Sequence, residues 1–157
     1  MRNYFFDTSA LVKRYQTKER GSEKVNKIFL EADCTVIILN LTMVEIIQTF
    51  CRLSKISEIK KTDLTVLIDS FYRDVKEHIQ IYTVTTEHTF RAEEIIRSSL
   101  PLKTLNKRPG AIDILQVCAA LDFNHRDLTF VSSDLDLNQI AKAHKLTILN
   151  PESETSS

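Results

Sequence analysis

Apolar positions in this chain alternate between two spacings. Five short runs rich in β-branched and aromatic residues read as strands: Asn3–Phe6, Cys34–Leu39, Ile79–Val84, Leu128–Ser132 and Leu146–Leu149. Between them apolar residues return every three to four positions, the period of a helix with one buried face. Val25, Ile28, Phe29 and Ala32 form one such stripe. Met43, Ile46, Ile47, Phe50 and Leu53 form the next, followed by Leu64, Leu67, Ile68, Phe71 and Val75. The remaining stripes are Ala92, Ile95, Ile96 and Leu100, then Ile114, Leu115, Cys118 and Leu121, then Leu137, Ile140 and Ala141.

Strands interleaved with helices, without tight hairpin signals, predict an α/β fold with a mainly parallel five-stranded sheet. Ligands of such sheets bind beyond the carboxyl ends of the strands. A chain of 157 residues suits a single domain. We place that domain at residues 1–151 and expect the polar residues 152–157 to fray. The longest expected loop, Pro101–Pro109, carries Lys103, Lys107 and Arg108.

Composition removes several function classes. The chain has two glycines, Gly21 and Gly110, where average usage predicts about eleven. No glycine-rich phosphate cradle and no G-x-S-x-G elbow can be built from two. Lys plus Arg and Asp plus Glu are each 21, so a global basic field is absent and nucleic-acid contacts must come from local patches. Cys34, Cys51 and Cys118 are an odd, widely spaced set in apolar neighbourhoods, which predicts buried free thiols rather than a zinc or disulfide framework. The histidines have no metal-ligand spacing and are expected at surface or half-buried positions. Nothing resembles a signal peptide or a membrane span, so the expected location is the reducing cytoplasm.

Four acids stand in apolar company. Asp7 ends Tyr4-Phe5-Phe6, Glu45 interrupts the segment 36–47, Asp113 opens the segment 110–121, and Asp134 follows Leu128–Ser133. A carboxylate in such a setting must be solvated by something other than water, or be paired, or protonate. Two of the four directly follow predicted strands and two lie near the starts of helices, so all four can project from one carboxyl edge. Converging acids raise one another's pKa, and a hard divalent cation with oxygen ligands removes the conflict. Each acid also has a purely structural reading. Thr42 and Glu45 fit a capping box, Asp113 favours a helix N-terminus, Ser132 or Ser133 can cap the helix holding Asp134 and Asp136, and Asp7 can cap a short helix through Ala10–Val12. For Asp136 a surface or capping role comes ahead of one supporting the four acids.

The segment Tyr4-Phe5-Phe6-Asp7-Thr8-Ser9-Ala10-Leu11-Val12-Lys13 resembles the opening of the PIN-domain nucleases, especially the VapC-type ribonuclease toxins. Thr42-Met43-Val44-Glu45, Asp113–Ala120 and Phe130–Asp134 resemble their later acidic motifs in order, and Ile148–Pro151 resembles their ending. The resemblance implies a three-layer α/β/α sandwich and an endoribonuclease dependent on Mg²⁺ or Mn²⁺. It implies Asp7, Glu45, Asp113 and Asp134 as the catalytic and metal-binding acids, with Ser9 supporting Asp7 and Thr8 a weaker candidate. It further implies an RNA substrate, a small antitoxin partner and possible homodimers. Lys13, Arg14, Lys107 and Arg108 are the candidate RNA-binding cations, next to the first and third motifs. Two alternatives stay open. One is a catalytically inactive PIN-like scaffold that binds protein. The other is an Asp/Mg²⁺ phosphatase-like enzyme, whose pattern wants an acid where this chain has Ser9.

Overall fold

The computed structural model describes residues 2–56, 58–102, 105–106, 108–123 and 127–154. The strands are β1 (Arg2–Phe6), β2 (Cys34–Leu39), β3 (Ile79–Tyr82), β4 (Leu128–Val131) and β5 (Thr147–Leu149). The helices are α1 (Thr8–Leu11), continued by a 3₁₀ turn at Val12–Arg14, then α2 (Ser22–Phe29), α3 (Asn40–Lys55), α4 (Lys61–Glu77), α5 (Thr86–Ser99), α6 (Ala111–Phe123) and α7 (Leu135–Ala143). All strand pairs are parallel, in the order β3-β2-β1-β4-β5.

Both faces of the sheet are covered, which is why its strands are apolar at successive positions rather than at alternate ones. Side chains alternate across a strand. Tyr4, Phe6, Val36 and Ile38 therefore pack with α2, α3 and α4 through residues such as Val25, Ile46, Phe50 and Phe71. Phe5, Ile37, Leu39 and Phe130 pack on the other side with Ile95 of α5, with Ile114, Val117 and Cys118 of α6, and with Leu137 and Ile140 of α7. The result is the expected α/β/α sandwich. Helix α6 is apolar nearly all round, as a helix sunk between layers must be.

Parallel register brings three strand ends level. Phe6 pairs with Ile38 on one side and with Val131 on the other. The backbone continues this alignment, with Asp7 N–H donating to Val131 O at 3.1 Å and Ser132 N–H to Leu149 O at 3.1 Å. Whatever follows β1, β2 and β4 is thereby gathered at one edge. β3 stops two residues short of the expected Val84 because β2 already ends at Leu39. The Val84 N–H donates instead to Asn40 Oδ1 at 3.2 Å.

Residues Glu152–Glu154, in the tail expected to fray, make contacts with the body: Glu152 reaches Lys13, Lys24 Nζ donates to Ser153 O, and Arg20 pairs with Glu154. Residues 155–157 lie outside the described residues. Of the three free cysteines only Cys118 is buried, while Cys51 is exposed on α3 and Cys34 is half-buried. His88 is fully buried rather than superficial, because its Nδ1 accepts the Thr85 N–H at 2.9 Å and closes a capping box at the start of α5. Among the described residues, no helix is long and apolar enough to cross a membrane.

Candidate active site

Asp7 is the centre of a polar knot beneath the carboxyl edge. It directly follows β1, caps α1 through the Ala10 N–H at 2.9 Å, and is almost fully buried. Ser9 Oγ donates to its carboxylate at 2.9 Å, and Ser132 Oγ donates to Oδ2 at 2.7 Å. Ser9 Oγ also accepts the Ser133 N–H at 2.9 Å, so one hydroxyl ties the turn after β1 to the turn after β4. Capping and site membership are therefore one arrangement. The ordering of α1 is what aims the acid.

Burial pushes the Asp7 carboxyl up to about 7, against the pull of the Ser132, Ala10 and Ser9 hydrogen bonds, and the negative charge of Asp113 pushes the same way. Burial also raises Glu45, opposed by its hydrogen bond from Thr8 and raised again by Asp113. Asp113 is thus within electrostatic range of both acids. Its own Oδ2 accepts the Gly110 N–H at 2.7 Å, at the mouth of α6.

Glu45 is not in a capping box with Thr42. Helix α3 starts earlier than the motif suggests, at Asn40, leaving Thr42 inside the first turn with no cap to close. Glu45 Oε2 instead accepts Thr8 Oγ1 at 2.6 Å and Gln116 Nε2 at 3.0 Å. Gln116 is completely buried, and its amide also reaches Thr42 Oγ1 at 3.1 Å and Thr8 Oγ1 at 3.3 Å. One side chain on α6 thus joins the first, second and third acidic segments. It is the sole uncharged polar residue in Ile114–Leu121, and that isolation was the available signal.

Asp134 itself caps α7, accepting the Asp136 N–H at 2.9 Å and the Leu137 N–H at 3.1 Å. Neither expected cap, Ser132 nor Ser133, caps this helix: Ser132 Oγ serves Asp7 and accepts the Asp134 N–H at 3.0 Å. Asp136 is buried and accepts the Asn106 N–H at 2.9 Å, which pins the loop before α6 onto α7.

A cleft of about 630 Å³ opens over these acids. Asp7, Thr8, Ser9, Asp113, Ser133, Asp134 and Asp136 line it, together with Lys13, Glu19, Thr49, Arg52 and Glu152. Glu45 stands behind Thr8 through the hydrogen bond already described. The candidate cations fare differently. Lys13 lines the cleft, buried, with its Nζ on Glu152 at 2.6 Å and on Glu19 at 3.1 Å. Burial lowers this ammonium's pKa, and the two carboxylates more than offset that, leaving a net rise. Arg14 is not brought to the cleft. It pairs with Asp74 at 3.1 Å and lies 4.6 Å over the Phe29 ring. Arg108 lies by a separate small cavity with Leu102 and Asn106. Lys103 and Lys107 lie outside the described residues. Thr49 and Arg52 on α3 line the cleft and were not anticipated.

Among the described residues no three His, Cys, Asp or Glu side chains are gathered into a ready metal cage. The donor chemistry nonetheless fits a hard cation. Mg²⁺ keeps several waters and is usually held by only one or two carboxylates, so it needs no such cage. The acids lining the cleft offer oxygen donors without His or Cys, and Ser133 Oγ is buried beside them with no hydrogen-bond partner among the described residues. Asp7, Asp113 and Asp134 line this cleft from the end of β1, the first turn of α6 and the start of α7.

A three-layer sandwich with a parallel 3-2-1-4-5 sheet and acids at its carboxyl edge defines a PIN-like fold. Solved structures of VapC- and FitB-type toxins share it. A VapBC2 complex from Rickettsia felis, bound to a DNA fragment from its promoter, superposes with a TM-score of 0.63 at 19% identity, over 94% of this chain and 98% of that one. FitAB bound to the IR36 DNA fragment gives 0.68 at 17% identity, over 98% and 99%. VapC20 from Mycobacterium tuberculosis, a sarcin-ricin loop cleaving toxin, gives 0.61 at 11% identity, over 87% and 93%. No protein-family model matches the chain. No curated protein matches it either.

Proposed function

We propose that this chain is an Mg²⁺- or Mn²⁺-dependent endoribonuclease and the toxin of a toxin–antitoxin pair. The observation that carries the reading is Asp7: a buried carboxyl at the sheet edge, held near neutrality by burial and by the charge of Asp113. An acid in that state gains most from a cation that replaces its proton. The likeness to VapBC and FitAB complexes supports an antitoxin partner of the same kind, and VapC20 supports RNA as the substrate class.

Asp7 and Asp113 would hold the ion, with Asp134 lining the same cleft. A cation held there would supply a water of lowered pKa and offset charge on the phosphoryl oxygens. The residues do the rest. Thr8 and Gln116 fix Glu45 through Oε2 beside the cleft, where its carboxylate would act as the base toward the attacking water. The water oxygen would bond to phosphorus as the bond to the 3′ oxygen breaks, and the departing oxygen would take a proton from solvent water, leaving a 5′-phosphate and a 3′-hydroxyl. Ser9, Ser132 and the Ala10 N–H keep Asp7 aimed and ionisable.

The test is cleavage of total RNA with Mn²⁺ or Mg²⁺, against Asp113→Asn and an EDTA control. Metal-dependent cleavage lost in the variant supports the proposal; no cleavage by the wild type ends it. The spacing of the carboxylates favours one second reading, a PIN fold retained for protein binding. Calorimetry separates the two, since that reading predicts no Mn²⁺ heat in either wild type or Asp7→Asn. Expression that arrests growth, relieved by a co-expressed antitoxin, tests the toxin role.

A further inference from the structure

Helix α3 carries a second functional position two turns beyond Glu45. Glu45, Thr49 and Arg52 follow at i, i+4 and i+7, so they lie along one helix face. Thr49 and Arg52 both line the cleft that holds Asp7, Asp113 and Asp134. Among the described residues, Lys13 and Arg52 are the cations lining it. Lys13 is buried and neutralised by Glu19 and Glu152. Arg52 is exposed and makes no ion pair or side-chain hydrogen bond among the described residues. This is unusual in a cleft walled by six acids, where an arginine has every opportunity to pair.

We propose that Arg52, with Thr49 beside it, is the strand-positioning contact of this cleft, taking a phosphate of single-stranded RNA next to the scissile one. The inference rests on the ribonuclease reading above. A seven-residue step along a helix is about 10 Å. Arg52 is therefore placed for a neighbouring phosphate, while the scissile group sits at the acids. Its planar fork binds phosphate oxygens in pairs, and the Thr49 hydroxyl can add a third donor. Such a contact fixes register without reading bases. Acids around the scissile site repel an incoming strand, so an uncommitted cation at the lip is what lets the strand approach.

The test uses the full chain and a fluorescent single-stranded RNA oligonucleotide. Binding is followed by anisotropy in EDTA from 50 to 200 mM NaCl, and cleavage is followed separately in Mn²⁺. Arg52→Gln is expected to weaken binding about five- to tenfold at low salt and to reduce the salt slope by about 0.7, the value for one phosphate on a single strand. Arg52→Lys restores the slope and part of the affinity, and Arg52→Glu weakens binding beyond Gln. In Mn²⁺ the KM of Arg52→Gln rises while kcat stays within about twofold. Unchanged slope and KM in Arg52→Gln, with the wild type still cleaving RNA, overturn the Arg52 contact and leave the nuclease standing. A wild type that neither binds nor cleaves RNA overturns both.

Discussion

Ser132 Oγ donates to Asp7 Oδ2 at 2.7 Å, joining the ends of β4 and β1 across 125 residues of chain. This hydroxyl offsets part of the burial that raises Asp7. It also accepts the Asp134 N–H at 3.0 Å, so one serine supports two of the four acids. Ser132→Ala should lift the Asp7 pKa above about 7 and weaken Mn²⁺ binding several-fold at pH 7. The deficit should shrink at pH 9, where Asp7 is ionised in both proteins. Calorimetry at the two pH values checks this. The lost hydrogen bonds should also cost about 1–3 kcal/mol of stability.

Asp7 gives the metal-free protein an unusual pH response. It ionises at about 7 in the fold and near 3.8 ordinarily. Between those values the folded chain holds a proton that the unfolded chain has released. Stability from this group is therefore full below about pH 4 and falls as pH rises to about 7. The whole effect is at most about 4 kcal/mol. Asp7→Asn removes the dependence. In EDTA its melting temperature should gain on the wild type between pH 5 and 7.5, and a constant difference would refute the assignment. The same variant should lose all cleavage and all Mn²⁺ stabilisation.

Gln116 organises Thr8, Thr42 and Glu45 from inside α6. Gln116→Met keeps the volume and removes the amide. Because Gln116 helps to orient the proposed base Glu45, cleavage should fall about 10–100-fold. The loss should appear in kcat, because no substrate contact is removed. A KM effect alone would place Gln116 outside the mechanism.

Gly21 packs against Pro151. Its φ is 88°, and a Cβ there would lie 2.8 Å from the carbonyl group of Pro151. Gly21→Ala should cost more than about 1 kcal/mol, from the left-handed backbone and the clash together. That corresponds to a fall of at least about 2–4 °C in melting temperature. Because Glu152 follows Pro151, the variant should also loosen the Lys13–Glu152 pair. Faster amide exchange at Glu152–Glu154 than elsewhere would register it.

Much of this was readable from local pattern. Runs such as Tyr4-Phe5-Phe6 and Val36–Leu39 are apolar on both faces, and only a strand covered from both sides needs that. Asp7 and Asp134 stand at strand exits, so the parallel register that levels Phe6 with Val131 carries them to one edge. The acids were visible because burial makes a charge in an apolar run costly and therefore conspicuous.

The partners were not visible, because contacts between residues far apart in the chain follow from how the layers pack. Asp7 and Asp134 both cap helices and serve the cleft, which no local motif distinguishes. Lys13 and Arg14 are neighbours of equal charge, yet the turn after α1 buries one against Glu19 and Glu152 and sends the other to Asp74. Arg52 sits among ordinary helix-surface residues, and only the approach of α3 to the ends of β1 and β4 makes it part of the cleft. Helical and strand periods repeat over a few residues and can be read along the chain. Electrostatic environment depends on which surfaces meet, and that is set by the three-layer packing.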